Sequence, residues 1–218
     1  MSVSDCASLA GNATKITARG FGWTHAGRSE AALSDIDVVI EPGERVLLCG
    51  DSGSGKSTLL AAMAGVLGSD EEGTRTGELL LEDSSGLVEE PGHTIPVGLV
   101  LQDPDSQVIS ARVGDDIAFG CENLAYPREE IWRRVTAAKE LVGPFVDLDF
   151  PTERLSGGQK QRLALAGVIA MGAGVVLLDE PTANLDPAGA RDVVRAVSRL
   201  VEETGATLVV VEHQHAAW

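Results

Sequence analysis

Apolar positions along the chain fall into short runs of two periods, and the periods predict the elements. Lys15 to Trp23 and Leu33 to Ile40 alternate or cluster apolar residues at strand length, with the turn-formers Gly27, Pro42 and Gly43 between and after them. Arg45 to Cys49 predicts a short strand running into a glycine-rich turn. Lys56 to Leu67 then reads as a helix, with Leu59, Leu60, Met63 and Leu67 on one face. Gly77 to Leu81 and Pro96 to Leu101 predict two more strands, separated by the acidic, turn-rich stretch Glu82 to Gly92, a surface loop.

From Val113 to Val142 the texture is helical. Pro127 suits a first helical turn, and Glu129 and Glu130 follow it where the helix dipole favours acids. Ser156 is placed to cap a helix running to Met171. Val175 to Leu178 is a fully apolar strand, and a helix from Ala188 to Glu203 and a strand from Thr207 to Val211 close the pattern. Strand–helix alternation at both ends predicts a parallel α/β sheet, and the helical middle predicts an inserted α-helical subdomain.

Length and charge narrow the picture. The 218 residues suit one compact domain, or a core with a subdomain. Seventeen basic residues against 33 acidic ones leave a net charge of −16. That balance argues against a nucleic-acid partner, because such binding neutralises phosphates with Lys and Arg. It leaves room for a local phosphate site built from backbone N–H groups. Cys6, Cys49 and Cys121 are scattered, which fits reduced thiols better than a disulfide framework or a zinc site. The uncharged stretch Leu163 to Leu178 is shorter than a bilayer span and is interrupted by Gly172 and Gly174, so the chain reads as soluble. His25, His93 and His215 have no partners at metal-ligand spacing.

The chemistry concentrates at two places. Gly50, Asp51, Ser52, Gly53, Ser54, Gly55, Lys56 and Ser57, followed by Thr58, match G-x-x-x-x-G-K-[ST] between a predicted strand and a predicted helix. The glycines let the main chain turn tightly so that successive N–H groups face a phosphate, and the helix adds the positive end of its dipole. Lys56 would reach the terminal phosphates and the Ser57 hydroxyl would bind Mg²⁺. Asp179 and Glu180 stand at the carboxyl end of an apolar strand, where open α/β sheets bind ligands. Asp179 suits a partner of Mg²⁺, and Glu180 suits a general base polarising an attacking water.

Further motifs carry a resemblance to a family. Leu155 to Arg162, LSGGQKQR, resembles the signature motif of ABC ATPases, and Val175 to Asp186, VVLLDEPTANLD, resembles their extended Walker B strand and D-loop. Gln102 matches the Q-loop glutamine, His213 the switch histidine, and Trp23 the position of an aromatic that stacks on adenine, commonly Tyr. The chain thus resembles the nucleotide-binding subunit of an ABC ATPase over nearly its whole length. The resemblance implies a single ABC ATPase domain over 1–218, with a P-loop NTPase core of mainly parallel sheet. It adds an N-terminal antiparallel β subdomain and a helical subdomain over about 103–154. It also implies ATP and Mg²⁺, with Gln102, Ser57 and Asp179 toward the metal. Glu180, His213 and Gln102 become the catalytic set. Ser156, Gly157, Gly158 and Gln159 would complete the ATP site of a second ABC ATPase domain, and Asp186 would link the two sites.

QDPDSQVISARVGDDIAFGCENL, after Gln102, is similar to the ATPases of energy-coupling factor transporters and cobalt importers. That likeness implies a transmembrane coupling protein, a substrate-binding membrane subunit for a vitamin or metal ion, and a place at the cytoplasmic face of the membrane. The alternative is a soluble ABC-type ATPase acting on ribosomes or nucleic acid, which the net charge disfavours. Family domains usually continue with further helices, and EHQHAAW resembles the end of the first domain in tandem ATPases. A truncated C-terminal end is therefore expected.

Overall fold

The computed structural model describes residues 13–68, 72–143 and 146–212. In chain order the strands are β1 (Lys15–His25), β2 (Leu33–Ile40), β3 (Arg45–Leu48), β4 (Gly73–Glu82), β5 (Val88–Glu89), β6 (Val97–Val100), β7 (Val175–Asp179) and β8 (Thr207–Val211). Among the described residues the α-helices are α1 (Lys56–Met63), α2 (Val113–Asn123), α3 (Arg128–Leu141), α4 (Gly157–Met171) and α5 (Pro187–Thr204).

The strands form two sheets. One is antiparallel in the order β2-β1-β4-β5, and the other is parallel in the order β3-β8-β7-β6. In β1 the buried positions switch parity: Ile16 and Ala18 face the core, then Phe21 and Trp23. A bulge between Ala18 and Phe21 supplies the switch, since one extra residue reverses which side chains point inward.

The central strands of the parallel sheet, β7 and β8, are buried at every position, which explains their uninterrupted apolar runs. Val176 and Leu178 of β7 and Leu208 and Val210 of β8 join one core with α4, α5 and the helices α2 and α3. Val175 and Leu177, with Val209 and Val211, face a second core shared with α1 and the antiparallel sheet. Between β6 and α4, helices α2 and α3 pack against α4.

Three elements depart from the sequence expectation, one of them β4, which begins at Gly73 instead of Gly77. Helix α1 stops at Met63, not Leu67. Val66 N–H donates to Ala61 O and Gly65 N–H to Ala62 O, a helix stop that uses Gly65 at φ 70°. The acidic loop contains β5, paired to Leu81 and Glu82 across a turn held by Asp83. The Asp83 carboxylate accepts from Ser85 Oγ (2.6 Å), Ser85 N–H (2.9 Å) and Leu87 N–H (3.0 Å). The Ser85 hydroxyl, followed by these main-chain donors, holds the carboxyl below its ordinary range.

Candidate nucleotide site

Strand register gathers the motif residues. Leu48 of β3 lies beside Val211 of β8, Val211 beside Asp179 of β7, and Leu178 beside Val100 of β6. The segments that leave these carboxyl ends, beginning at Cys49, Leu101, Glu180 and Glu212, therefore start at one edge of the sheet. Glu180 stands two strands from the end of β3, about 10 Å at ordinary strand spacing.

The loop from β3 into α1 is exposed, and Lys56 arches back over it. Its ammonium donates to the carbonyls of Gly50 (2.9 Å) and Asp51 (2.7 Å). Asp51 O also accepts from Ser54 N–H (3.2 Å). Gly55 precedes α1 at φ 91°, and a Cβ there would meet Ala32 O at 2.4 Å, so glycine is needed for both angle and space. The first turn of α1 presents unpaired N–H groups by construction, with the exposed Ser57 in that turn.

Asp179 is buried at the end of β7, and Glu180 follows in the left-handed region at φ 45°. A side chain in that region is strained and persists where neighbours fix it. Here Glu180 N–H donates to Val211 O (2.9 Å), and Ala183 N–H donates to Glu180 O (3.1 Å). Gln102 Nε2 donates to Glu180 Oε2 (3.2 Å), so the two side chains are in contact although 78 residues apart. Asn184 Nδ2 reaches Gln102 O at 3.5 Å. Thr182 Oγ1 donates to Glu212 Oε2 (2.6 Å), where Glu212 is only 3% exposed. That bond ties the turn after β7 to the end of β8.

The LSGGQ segment opens α4 as expected. Ser156 accepts from Gln159 N–H (3.4 Å), and Gln159 Oε1 accepts from Ser156 N–H (2.8 Å), a reciprocal cap. Asp186 caps α5 by accepting from Gly189 N–H (2.7 Å). The two helix starts meet closely: a Cβ on Gly158 would lie 3.4 Å from Gly189 Cα. Between them is a cleft of about 380 Å³ whose lining includes Ser156, Gly157, Gly158, Asn184 and Asp186.

The aromatic expected to stack on adenine lies in the core. Trp23 is 5% exposed, and its indole N–H donates to His25 Nδ1 (3.2 Å). The β1 bulge turns it into the core, where it joins Phe21 and Leu33. Its strand partner Leu33 reaches the phosphate loop, 2.9 Å from a Cβ built on Gly55. His213 lies outside the described residues. Sequence spacing does not single out Thr182, Asn184 or Glu212. A carboxylate closing the apolar run Thr207 to Val211 was the one available signal for Glu212.

Ser57, Gln102 and Asp179 offer oxygen donors alone, the set that suits a hard divalent cation such as Mg²⁺. Among the described residues, no group of three or more His, Cys, Asp or Glu is placed to hold a metal ion by itself. The fit is thus to a cation that arrives with phosphate ligands of its own.

A strand, a glycine loop and a helix, with a carboxylate pair on a nearby strand end, define a nucleoside-triphosphate-binding α/β domain. The profile of the ABC transporter family matches residues 33–183, and the chain belongs to that family. It is 41% identical over 186 residues to the energy-coupling factor transporter ATP-binding protein EcfA1 of Caldanaerobacter subterraneus, covering 85% of this chain and 66% of that protein. A Methanosarcina mazei relative is 39% identical, over 92% of this chain and 35% of its own length. The chain therefore spans about a third to two thirds of these curated relatives. The solved structure of CbiO1 from Clostridium perfringens, described as part of the ABC transporter complex CbiONQ, superposes with TM-score 0.74 at 32% identity. It covers 94% of this chain and 79% of CbiO1. Among the described residues no helix is long and apolar enough to cross a membrane.

Proposed function

We propose that this chain binds and hydrolyses ATP to power a membrane importer of energy-coupling factor type for a vitamin or metal ion. The contact between Gln102 and Glu180 carries the reading, because it joins the residue that follows β6 to the carboxylate that follows β7. The likeness to EcfA1 and CbiO1 supports the transporter class.

In this mechanism Lys56 leaves the Gly50 and Asp51 carbonyls for the terminal phosphates of ATP. Main-chain N–H groups of the loop and of the first turn of α1, from Ser57 and Thr58, hold the remaining oxygens. Ser57, Gln102 and Asp179 would hold Mg²⁺, which when bound supplies neutralisation of phosphate charge. Glu180 accepts the proton of the attacking water. Ser156 and Gly158 complete the site of a second ABC ATPase domain, identical or homologous, and Asp186 joins the two sites across that interface. His213 stabilises the γ-phosphate. The helices over about 103–154 receive a transmembrane coupling protein, whose membrane partner binds the cargo. This places the chain on the cytoplasmic face of the membrane. The work is mainly positioning and electrostatics.

Glu180→Gln tests the reading. The variant keeps ATP binding, loses turnover and accumulates as a closed dimer on size-exclusion chromatography with ATP. Hydrolysis at the wild-type rate would overturn the role of Glu180. Recovery of a membrane complex from native cells with this chain, and faster hydrolysis in its presence, tests the transporter class.

A further inference from the structure

Leu101, the residue before Gln102, is held by two carboxamides. Gln107 faces its peptide as a neighbouring strand would: Leu101 N–H donates to Gln107 Oε1 (2.8 Å), and Gln107 Nε2 donates back to Leu101 O (3.1 Å). The same Nε2 reaches Asp103 O (3.2 Å). Gln161, 1% exposed, sends its own Nε2 to Leu101 O (3.0 Å), and its Oε1 lies 3.5 Å from Gln107 Nε2. Lys160 pairs with Asp105 alongside. Gln161 belongs to α4, five residues after the Ser156 cap, a rise of about 7.5 Å along the helix.

We propose that Gln107 and Gln161 are positioning residues. They form a clasp that makes the strand end carrying Gln102 and the helix start carrying Ser156 move together. The inference rests on the ATPase reading above. Gln102 touches Glu180 on one side and is bonded through the Leu101 peptide to α4 on the other. The bond from the buried Gln161 Nε2 to Leu101 O is stiff, because breaking it leaves a polar group without water. When Gln102 shifts toward a bound γ-phosphate, the Leu101 carbonyl draws Gln161 with it. The helix α4 transmits that shift to its N-terminal turn as a rigid rod. Asp105 and Lys160 add a charged contact along the same seam.

The test uses the whole chain, wild type and Gln161→Leu, which keeps the volume and removes the bonds. Gln107→Leu, on a half-buried side chain, carries the same test if the first variant does not fold. ATP affinity is read by calorimetry, kcat and KM by steady-state hydrolysis, and amide exchange with and without ATP over residues 50–57, 101–107 and 156–162. Each variant is expected to bind ATP within about twofold of wild type while kcat falls by about tenfold. ATP-induced protection should persist over 50–57 and disappear over 156–162. A clasp that merely stabilised the fold would lower the melting temperature without splitting those two responses. Wild-type kcat in a folded variant, or protection over 156–162 that survives loss of the clasp, overturns the inference. If the wild-type chain binds ATP without hydrolysing it, the ATPase reading fails, and the exchange pattern still decides the clasp.

Discussion

Gly55→Ala puts the geometry of the phosphate loop to a quantitative test. Gly55 has φ 91°, and an added Cβ would lie 2.4 Å from Ala32 O and 2.9 Å from Leu33 Cδ2. Left-handed backbone costs an L-residue about 1–2 kcal/mol. Pushing a methyl group against main chain adds about 1–3 kcal/mol of overpacking. Gly53→Ala separates the two costs, since Gly53 has φ 79° with nothing within 4 Å of its added Cβ. For a domain of this size each kcal/mol moves the melting temperature by about 2–4 °C. Gly53→Ala should therefore melt about 2–8 °C below wild type, and Gly55→Ala about 4–20 °C below. ATP binding should fall further in Gly55→Ala, because Ala32 and Leu33 force the loop away from the place where Lys56 follows it. Thermal scans with and without ATP decide the matter. Equal melting temperatures for the two variants would show that β2 does not press on the loop.

Thr182→Val removes the hydroxyl bonded to the buried Glu212 carboxylate and should cost about 1–3 kcal/mol in urea melts. Glu212→Gln, which keeps an acceptor, should lose less. Cys121 is fully buried and its thiol is pushed up to about 11, chiefly by burial. Iodoacetamide at pH 8 should leave it unlabelled in the native protein, while the exposed Cys49 beside the phosphate loop reacts and ATP slows that reaction. Peptide mass spectrometry reads both. Glu130 is held below its ordinary range by Arg133, with Arg134 adding to this and burial opposing it. Because the folded value is depressed, this stabilisation is present above about pH 4.5 and lost as pH falls through the folded value. The Glu130 side chain is 26% exposed, so the effect is a few tenths of a kcal/mol. Glu130→Gln should show a correspondingly flatter loss of stability in acid.

What could be read from the sequence was what is local in the chain. The cap at Ser156, the phosphate loop and the β7 run depend on residues within a few positions of one another, so spacing alone reveals them. The stop of α1 at Gly65 was also local, but the apolar face continuing to Leu67 concealed it. Trp23 shows a different limit. Motif position correctly located its strand, while the bulge near Gly20, stabilised by Gly20 N–H donating to Asp37 Oδ1 (2.8 Å), decided which way its ring points. Thr182 with Glu212 and Gln161 with Leu101 are paired across 30 and 60 residues, and nothing in either segment names its partner.

The register of β7 links the fold to the chemistry. Its residues are apolar on both faces, so a slip by one position would exchange Val175 and Leu177 with Val176 and Leu178 between two apolar cores at modest penalty. The ends of the strand are less tolerant. At the start, Gly174 N–H donates to Pro96 O (3.2 Å) and Gly174 O accepts from Thr207 N–H (3.0 Å). At the finish, Glu180 N–H donates to Val211 O (2.9 Å), and Asp179 is the last residue paired with β8. A one-residue slip would draw the Glu180 carboxylate into the sheet or push Asp179 off its end. Either would leave a buried charge or empty the place beside Gln102. The carboxylates that suit the site for phosphate chemistry therefore also act as the stop that holds the central strand in register.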